Sequence, residues 1–162
     1  MILNDVLRSV RFMLDLSEPR VVEIVHLADP AFMLERDDVR ALLLKEDEPG
    51  FRPCGDAMLA RFLDGLIVDR RGRDDRQPAR PFESRMTNNL VMKKLRIAFE
   101  LTDVDMHALF ADAGFPVSKP ELSAVFRQPG HRNYRPCGDQ MLRNFLRGLT
   151  LRVRGIPGAD VT

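Results

Sequence analysis

The residues best placed to do chemistry are two cysteines in a repeated turn, Arg52-Pro53-Cys54-Gly55-Asp56 and Arg135-Pro136-Cys137-Gly138-Asp139. Each turn leads into an apolar run that reads as a helix. Amide N–H groups at a helix start, with an arginine nearby, can stabilise a nucleophilic thiolate. The competing reading is structural: a small buried hydrophobe beside an aspartate N-cap, with Asp56 and Asp139 as the caps. The histidines decide between them. A duplicated Cys–His pair needs a duplicated His, yet His26 falls at the end of the second helix of its repeat, His107 at the start of the equivalent helix, and His131 in a loop. Cys54, Asp56, Cys137 and Asp139 are therefore expected to be structural. Without a Cys-x-x-Cys or His-x₃-His spacing no metal site is expected. No Gly-rich phosphate loop, Ser–His–Asp order or carboxylate pair stands out either, so neither enzyme, cofactor nor small-molecule ligand is expected. The acids Glu46, Asp47 and Glu48 read as a solvated turn.

The stronger binding signal is electrostatic. Between Arg127 and Arg154 there are seven arginines and a single acid, Asp139. Guanidinium groups suit phosphate and carboxylate partners bidentately. A helix–turn–helix-like pair lies beside them, and its second helix would offer Lys119, Ser123 and Arg127. With Arg132, Arg135, Arg143, Arg147 and Arg152 these form the candidate set for a partner. A protein partner or a homodimer is the first expectation and nucleic acid the alternative. In the first copy Glu35, Asp37 and Asp38 would repel phosphate, which favours the protein reading.

The elements that position these residues follow from the repeat. Residues 57–66 and 140–149 agree at Met58, Leu59, Phe62, Leu63, Gly65 and Leu66 and differ at 57, 60, 61 and 64. The differing positions are spaced as one stripe of an α-helix and the agreeing apolar ones form the opposite stripe. Shared interiors and separate surfaces are expected, with Ala57, Ala60, Arg61 and Asp64 facing outward in one copy and Gln140, Arg143, Asn144 and Arg147 in the other. Asn4 stands as the N-cap of the first helix, and the second copy begins at Asn89. Helix two spans roughly 19–28 and 104–113 by periodicity. Gly114 ends the second of these at a turn, and Ser118 with Glu121 forms a capping box for helix three. No strand pattern occurs. The expectation is an all-α chain of two tandem four-helix repeats, packed as a pseudo-symmetric pair.

The boundaries expected are an acidic repeat at 1–72, a charged, Pro-containing and mobile or extended linker at 73–87, a basic repeat at 88–155 and a loose tail at 156–162. Residues 1–72 hold 10 Lys/Arg against 14 Asp/Glu, a balance of −4, and residues 88–162 hold 11 against 7, a balance of +4. Units of this size bury only about 60 % of their unfolded surface, which favours packing or dimerisation. The start of the chain has no charged-then-apolar leader pattern, and no apolar run approaches the ~18 residues of a membrane span. With two unclustered cysteines, the reducing cytoplasm is the expected compartment.

The chain resembles the YehS-like bacterial family, a duplicated helical domain of unknown function. The likeness is carried by Asn4-Asp5-Val6-Leu7-Arg8 with Asp15-Leu16-Ser17, by residues 117–124 (Val-Ser-Lys-Pro-Glu-Leu-Ser-Ala), by residues 129–135 (Pro-Gly-His-Arg-Asn-Tyr-Arg), and by the two Cys-Gly-Asp helices. The resemblance implies a soluble cytoplasmic protein and brings no catalytic residues with it.

Overall fold

The computed structural model describes residues 1–76 and 78–155; the expected tail at 156–162 lies outside the described residues. Among these residues there are eight helices and no strand. They are α1 (Leu3–Leu14), α2 (Glu18–Ala28), α3 (Arg36–Leu43), α4 (Asp56–Arg71), α5 (Asn88–Ala98), α6 (Asp103–Asp112), α7 (Lys119–Phe126) and α8 (Asp139–Arg154). The chain divides into two compact units, Met1–Met86 and Thr87–Thr162, each holding four helices. Among the described residues no helix is long and apolar enough to cross a membrane.

Short polar side chains set the helix starts. The Ser17 hydroxyl accepts from the Arg20 N–H at 3.2 Å, and the Thr102 hydroxyl accepts from the Asp105 N–H at 3.1 Å. Ser118 and Glu121 form the full capping box, at 3.2 and 3.1 Å. In α3 Asp38 accepts from the Glu35 N–H at 2.8 Å. The first and fifth helices end with Asp15 and Glu100 at φ 53°. A non-glycine residue rarely adopts this left-handed conformation. It lets the N–H groups of Leu16 and Leu101 reach back to the carbonyls of Arg11 and Arg96, at 2.9 and 3.0 Å.

Three assigned caps are corrected. The N-cap of α1 is Ile2, not Asn4, and that of α5 is Thr87; Asn4 and Asn89 each lie at the second helical position. The N-caps of α4 and α8 are Gly55 and Gly138, not Asp56 and Asp139. The physical reason is competition for the side chains. Asp56 accepts from the Met86 N–H at 2.7 Å, and Asp139 accepts from the Asn88 amide at 2.9 Å. The asparagines are used elsewhere, as described below.

Each core is built on the repeated helix. Phe62 and Phe145 are fully buried, as are Leu59, Leu66, Leu142 and Leu149. The α2–α4 and α6–α8 pairs meet at a glycine. A Cβ on Gly65 would stand 1.9 Å from the Ile24 carbonyl oxygen, and one on Gly148 would stand 2.1 Å from that of Leu109. Backbone therefore touches backbone, which explains why this glycine occurs in both copies inside a helix, where glycine is otherwise disfavoured.

Within the segment expected to be a mobile or extended linker, residues 82–86 are tied to the first unit. Arg61 lies between Phe32 and Phe82, its guanidinium carbon 4.9 and 4.2 Å from the ring centroids, and bonds Asp29 at 2.8 Å. Together with the Met86–Asp56 bond this fixes residues 82–86 along α4. Ala60, expected to face outward, is fully buried between these anchor points. In α8, by contrast, the equivalent Arg143 is exposed.

Gly148→Ala is expected to destabilise the second unit by about 1–3 kcal/mol through overpacking. Gly138→Ala, with nothing within 4 Å of its added carbon, is expected to change stability far less. Denaturant unfolding followed by circular dichroism checks the contrast.

Candidate functional site

The repeated asparagine organises each unit around its Pro-Cys-Gly turn. Asn4 is 1 % exposed. Its amide donates to the carbonyls of Leu42 and Arg52, at 2.9 and 2.8 Å, and its oxygen accepts from the Cys54 N–H at 2.8 Å. Asn89 repeats this with Val125, Arg135 and Cys137 at 3.0, 2.9 and 2.8 Å. One side chain thus joins the first helix, the end of the third and the turn before the fourth. A further bond from the Arg135 N–H to the Ala124 carbonyl, at 3.1 Å, stitches the same turn to α7.

The cysteines sit behind this clamp. Cys54 and Cys137 are 8 % and 5 % exposed and free. Each thiol points to the carbonyl of the next glycine, at 3.6 and 3.5 Å. Burial, with the neighbouring aspartate adding to it, pushes both thiols up to about 12. That is opposite to what a thiolate nucleophile requires. The histidines bond main-chain groups: His26 at the Phe32 carbonyl (2.9 Å), His107 at that of Val117 (3.1 Å), and His131 accepting from the Asn133 N–H (3.0 Å).

The clamp also fixes the walls of a groove. Lys119, Pro120, Glu121, Ser123, Ala124 and Arg127 of α7 and its C-cap face Asn133 and Arg135 of the following loop across an open cavity of about 700 Å³. Four of the sequence candidates, Lys119, Ser123, Arg127 and Arg135, meet here. A smaller cavity of about 330 Å³ shares Ser123 and Arg127 and adds Arg96, Asp103, Leu122 and Phe126. There Arg96 is occupied, stacked 4.8 Å from the Phe126 centroid and bonded to Asp103 at 2.7 Å.

Charge balance in the larger groove is one-sided. Among the described residues Lys119 and Arg127 have no carboxylate partner. Arg135 bonds the carbonyls of Tyr134 and Arg132, at 2.9 and 3.4 Å, rather than an acid. Glu121, the one acid in the lining, is turned to the Ser118 hydroxyl and N–H, which hold its carboxyl below the usual range. The first unit differs at the equivalent place: Arg52 bonds Asp38 at 2.8 Å. The repeat thus contains one closed version of the site and one open version.

The remaining candidates lie elsewhere. Arg132 is exposed in the loop and Arg143 is exposed on α8. Arg147 is half-buried, and its Nε is enclosed without a hydrogen-bond partner among the described residues. Arg152 is committed to Asp105 at 2.7 Å within its own unit, so it does not form part of a free cationic face. Thr102 and then Arg152 hold Asp105 below the ordinary carboxylate range. Sequence reasoning missed Asn4, Asn89 and Asn133. The recurrence of the first two, each opening its copy beside an apolar stripe, was the available signal.

A duplicated helical protein, with no strand among the described residues and a polar clamp in each repeat, is what these features define. The family described as "Protein of unknown function (DUF1456)" matches residues 3–72 and 88–155, and the chain belongs to it. It is similar to "Uncharacterized protein YehS" of Escherichia coli (strain K12), being 47 % identical over 152 residues, which cover 94 % of this chain and 96 % of that protein. No solved structure matches the chain.

Asn4→Ala is expected to destabilise its unit by about 3 kcal/mol, because main-chain groups of Leu42, Arg52 and Cys54 lose a buried partner. Asn89→Ala, at a less buried site, should have a smaller effect; urea midpoints check both. The pH dependence has two arms. Carboxyls held low, Glu121 and Asp105 among them, contribute stability above their unfolded values that is lost as pH falls through the folded ones. Thiols raised from 9.0 to about 12 contribute stability below pH 9 that is lost as pH climbs toward 12. Urea midpoints should therefore fall on both sides. A thiol reagent should leave the native cysteines unmodified at pH 7.5 and modify them once urea unfolds the chain.

Proposed function

We propose that this chain is a non-enzymatic regulatory binding protein of the cytoplasm, and that it holds an acidic segment of a protein partner in the groove beside α7. The observation that carries the reading is the convergence of Lys119, Arg127 and Arg135 on one concave site with no carboxylate paired to them among the described residues. The first unit supports it by analogy. There the Asp38 carboxylate bonds the arginine equivalent to Arg135, so a partner's Asp or Glu in the groove would reproduce a contact this fold already makes. Pro120, Ala124 and the arginine stems supply an apolar floor, and Ser123 and Asn133 supply neutral polar groups. Two free, buried cysteines suit a reducing compartment. Thiols shifted away from reactivity fit a binding role better than a nucleophilic one.

A nucleic-acid reading draws on the placement of Lys119, Ser123 and Arg127 on successive turns of α7 and its C-cap. Two features favour the peptide instead. The connection from α6 to α7 covers residues 113–118, longer than the 3–4-residue turn of a DNA-reading helix pair. The cationic groups also line a concavity, whereas major-groove readout uses a protruding helix.

Fluorescence anisotropy with a labelled peptide of alternating Glu and Leu, and separately with a random duplex, tests the reading. The peptide should bind, and Lys119→Ala/Arg127→Ala should weaken it about tenfold or more, as loss of charge-assisted contacts implies. An unbound peptide, or one bound equally by the double variant, overturns the proposal. So does duplex binding that falls steeply with salt through counterion release and disappears in the same variant.

A further inference from the structure

We propose that the occupant of the groove is the acidic loop of a second copy of this chain, residues 45–50, so that the protein associates with itself. This rests on the reading that the groove accepts carboxylates, and it names the partner. All six residues of the loop are exposed. The loop is also held in one shape. The Glu48 N–H bonds the Lys45 carbonyl at 3.0 Å, the Phe51 N–H bonds that of Glu48 at 3.2 Å, and the Glu48 carboxylate accepts from the Lys45 N–H at 2.9 Å. With Glu48 folded back, Glu46 and Asp47 stand at the tip without a cationic partner among the described residues. A preformed turn loses little freedom on docking, which lowers the penalty of association.

Pairing elsewhere in the unit narrows the choice toward the same loop. Six other acids of the first unit sit in ion pairs: Asp5 with Arg8, Glu18 with Arg40, Glu23 and Asp69 with Arg20, Asp29 with Arg61, and Asp38 with Arg52. Glu46 and Asp47 are the adjacent pair left over, and Lys119 and Arg127 are the cations left over in the groove. The balance of −4 over residues 1–72 and +4 over residues 88–162 favours contact between the first unit of one copy and the second unit of another. Every chain carries one loop and one groove, so each copy offers what another accepts.

Sedimentation velocity over a wide concentration range tests this at low and high salt. At low salt the mass should rise from 18.5 kDa toward twice that value, and salt should reverse it through screening. Glu46→Lys/Asp47→Lys and Lys119→Glu/Arg127→Glu should each stay at the monomer mass, with melting temperatures like the parent's. An equimolar mixture of the two variants should associate again, since one contact is native and the other is charge-swapped. A parent that stays monomeric throughout, or that associates regardless of both reversals, overturns the proposal. A monomeric parent that still binds the Glu/Leu peptide through Lys119 and Arg127 overturns self-association alone. One that binds no peptide overturns the acid-binding groove as well.

Discussion

The structure of each unit depends on one buried carboxamide. Asn4 and Asn89 each meet three main-chain groups, one at the end of the third helix and two in the turn before the fourth, at 2.8–3.0 Å. Few side chains could replace them. Aspartate offers no donor and leucine offers neither donor nor acceptor, whereas asparagine supplies both from one short planar group. The turn it secures contains proline and glycine and carries little hydrogen bonding of its own. Without the clamp, the end of the third helix and the start of the fourth would leave buried groups unsatisfied, which is unfavourable by roughly 1–3 kcal/mol each. The groove in the second unit inherits its geometry from this arrangement, since Asn89 grips Val125 beneath one wall and Arg135 in the other.

The two copies then diverge by the handling of a single arginine. In the first, aspartate at position 38 caps α3 and reaches Arg52 as well. In the second, Glu121 is absorbed in its capping box with Ser118, and Arg135 turns to main-chain carbonyls. An exposed ion pair of the Arg52–Asp38 kind contributes only about 0–1 kcal/mol. Its loss in the second copy therefore has little effect on folding and a large one on what the surface offers. A change that is nearly neutral for stability can convert a closed face into a charged concavity.

The helices were legible because amphipathic spacing depends on neighbours within the same turn or two. The capping boxes were legible for the same reason, and so was the alignment of Lys119, Ser123 and Arg127 along α7. Asn4 was misread because a cap and a clamp call for the same residue type near a helix start. Only the position of a turn some fifty residues away separates the two roles. Arg152 looked available because its partner Asp105 lies 47 residues earlier. Ala60 looked exposed because it lies on the stripe where the two copies differ, and residues 82–86, which pass along that helix, belong to no repeat.

That last segment has a consequence for how the molecule is divided. The duplicated stretch in the first half ends at residue 72, but the first folded body continues to Met86. Inheritance and folding therefore place the border at different residues. Phe82, gripped by Arg61, and Met86, hydrogen-bonded to Asp56, serve as an add-on that finishes a surface the ancestral repeat left bare. A fragment cut at the repeat border would lose that covering, whereas one cut after Met86 would retain it.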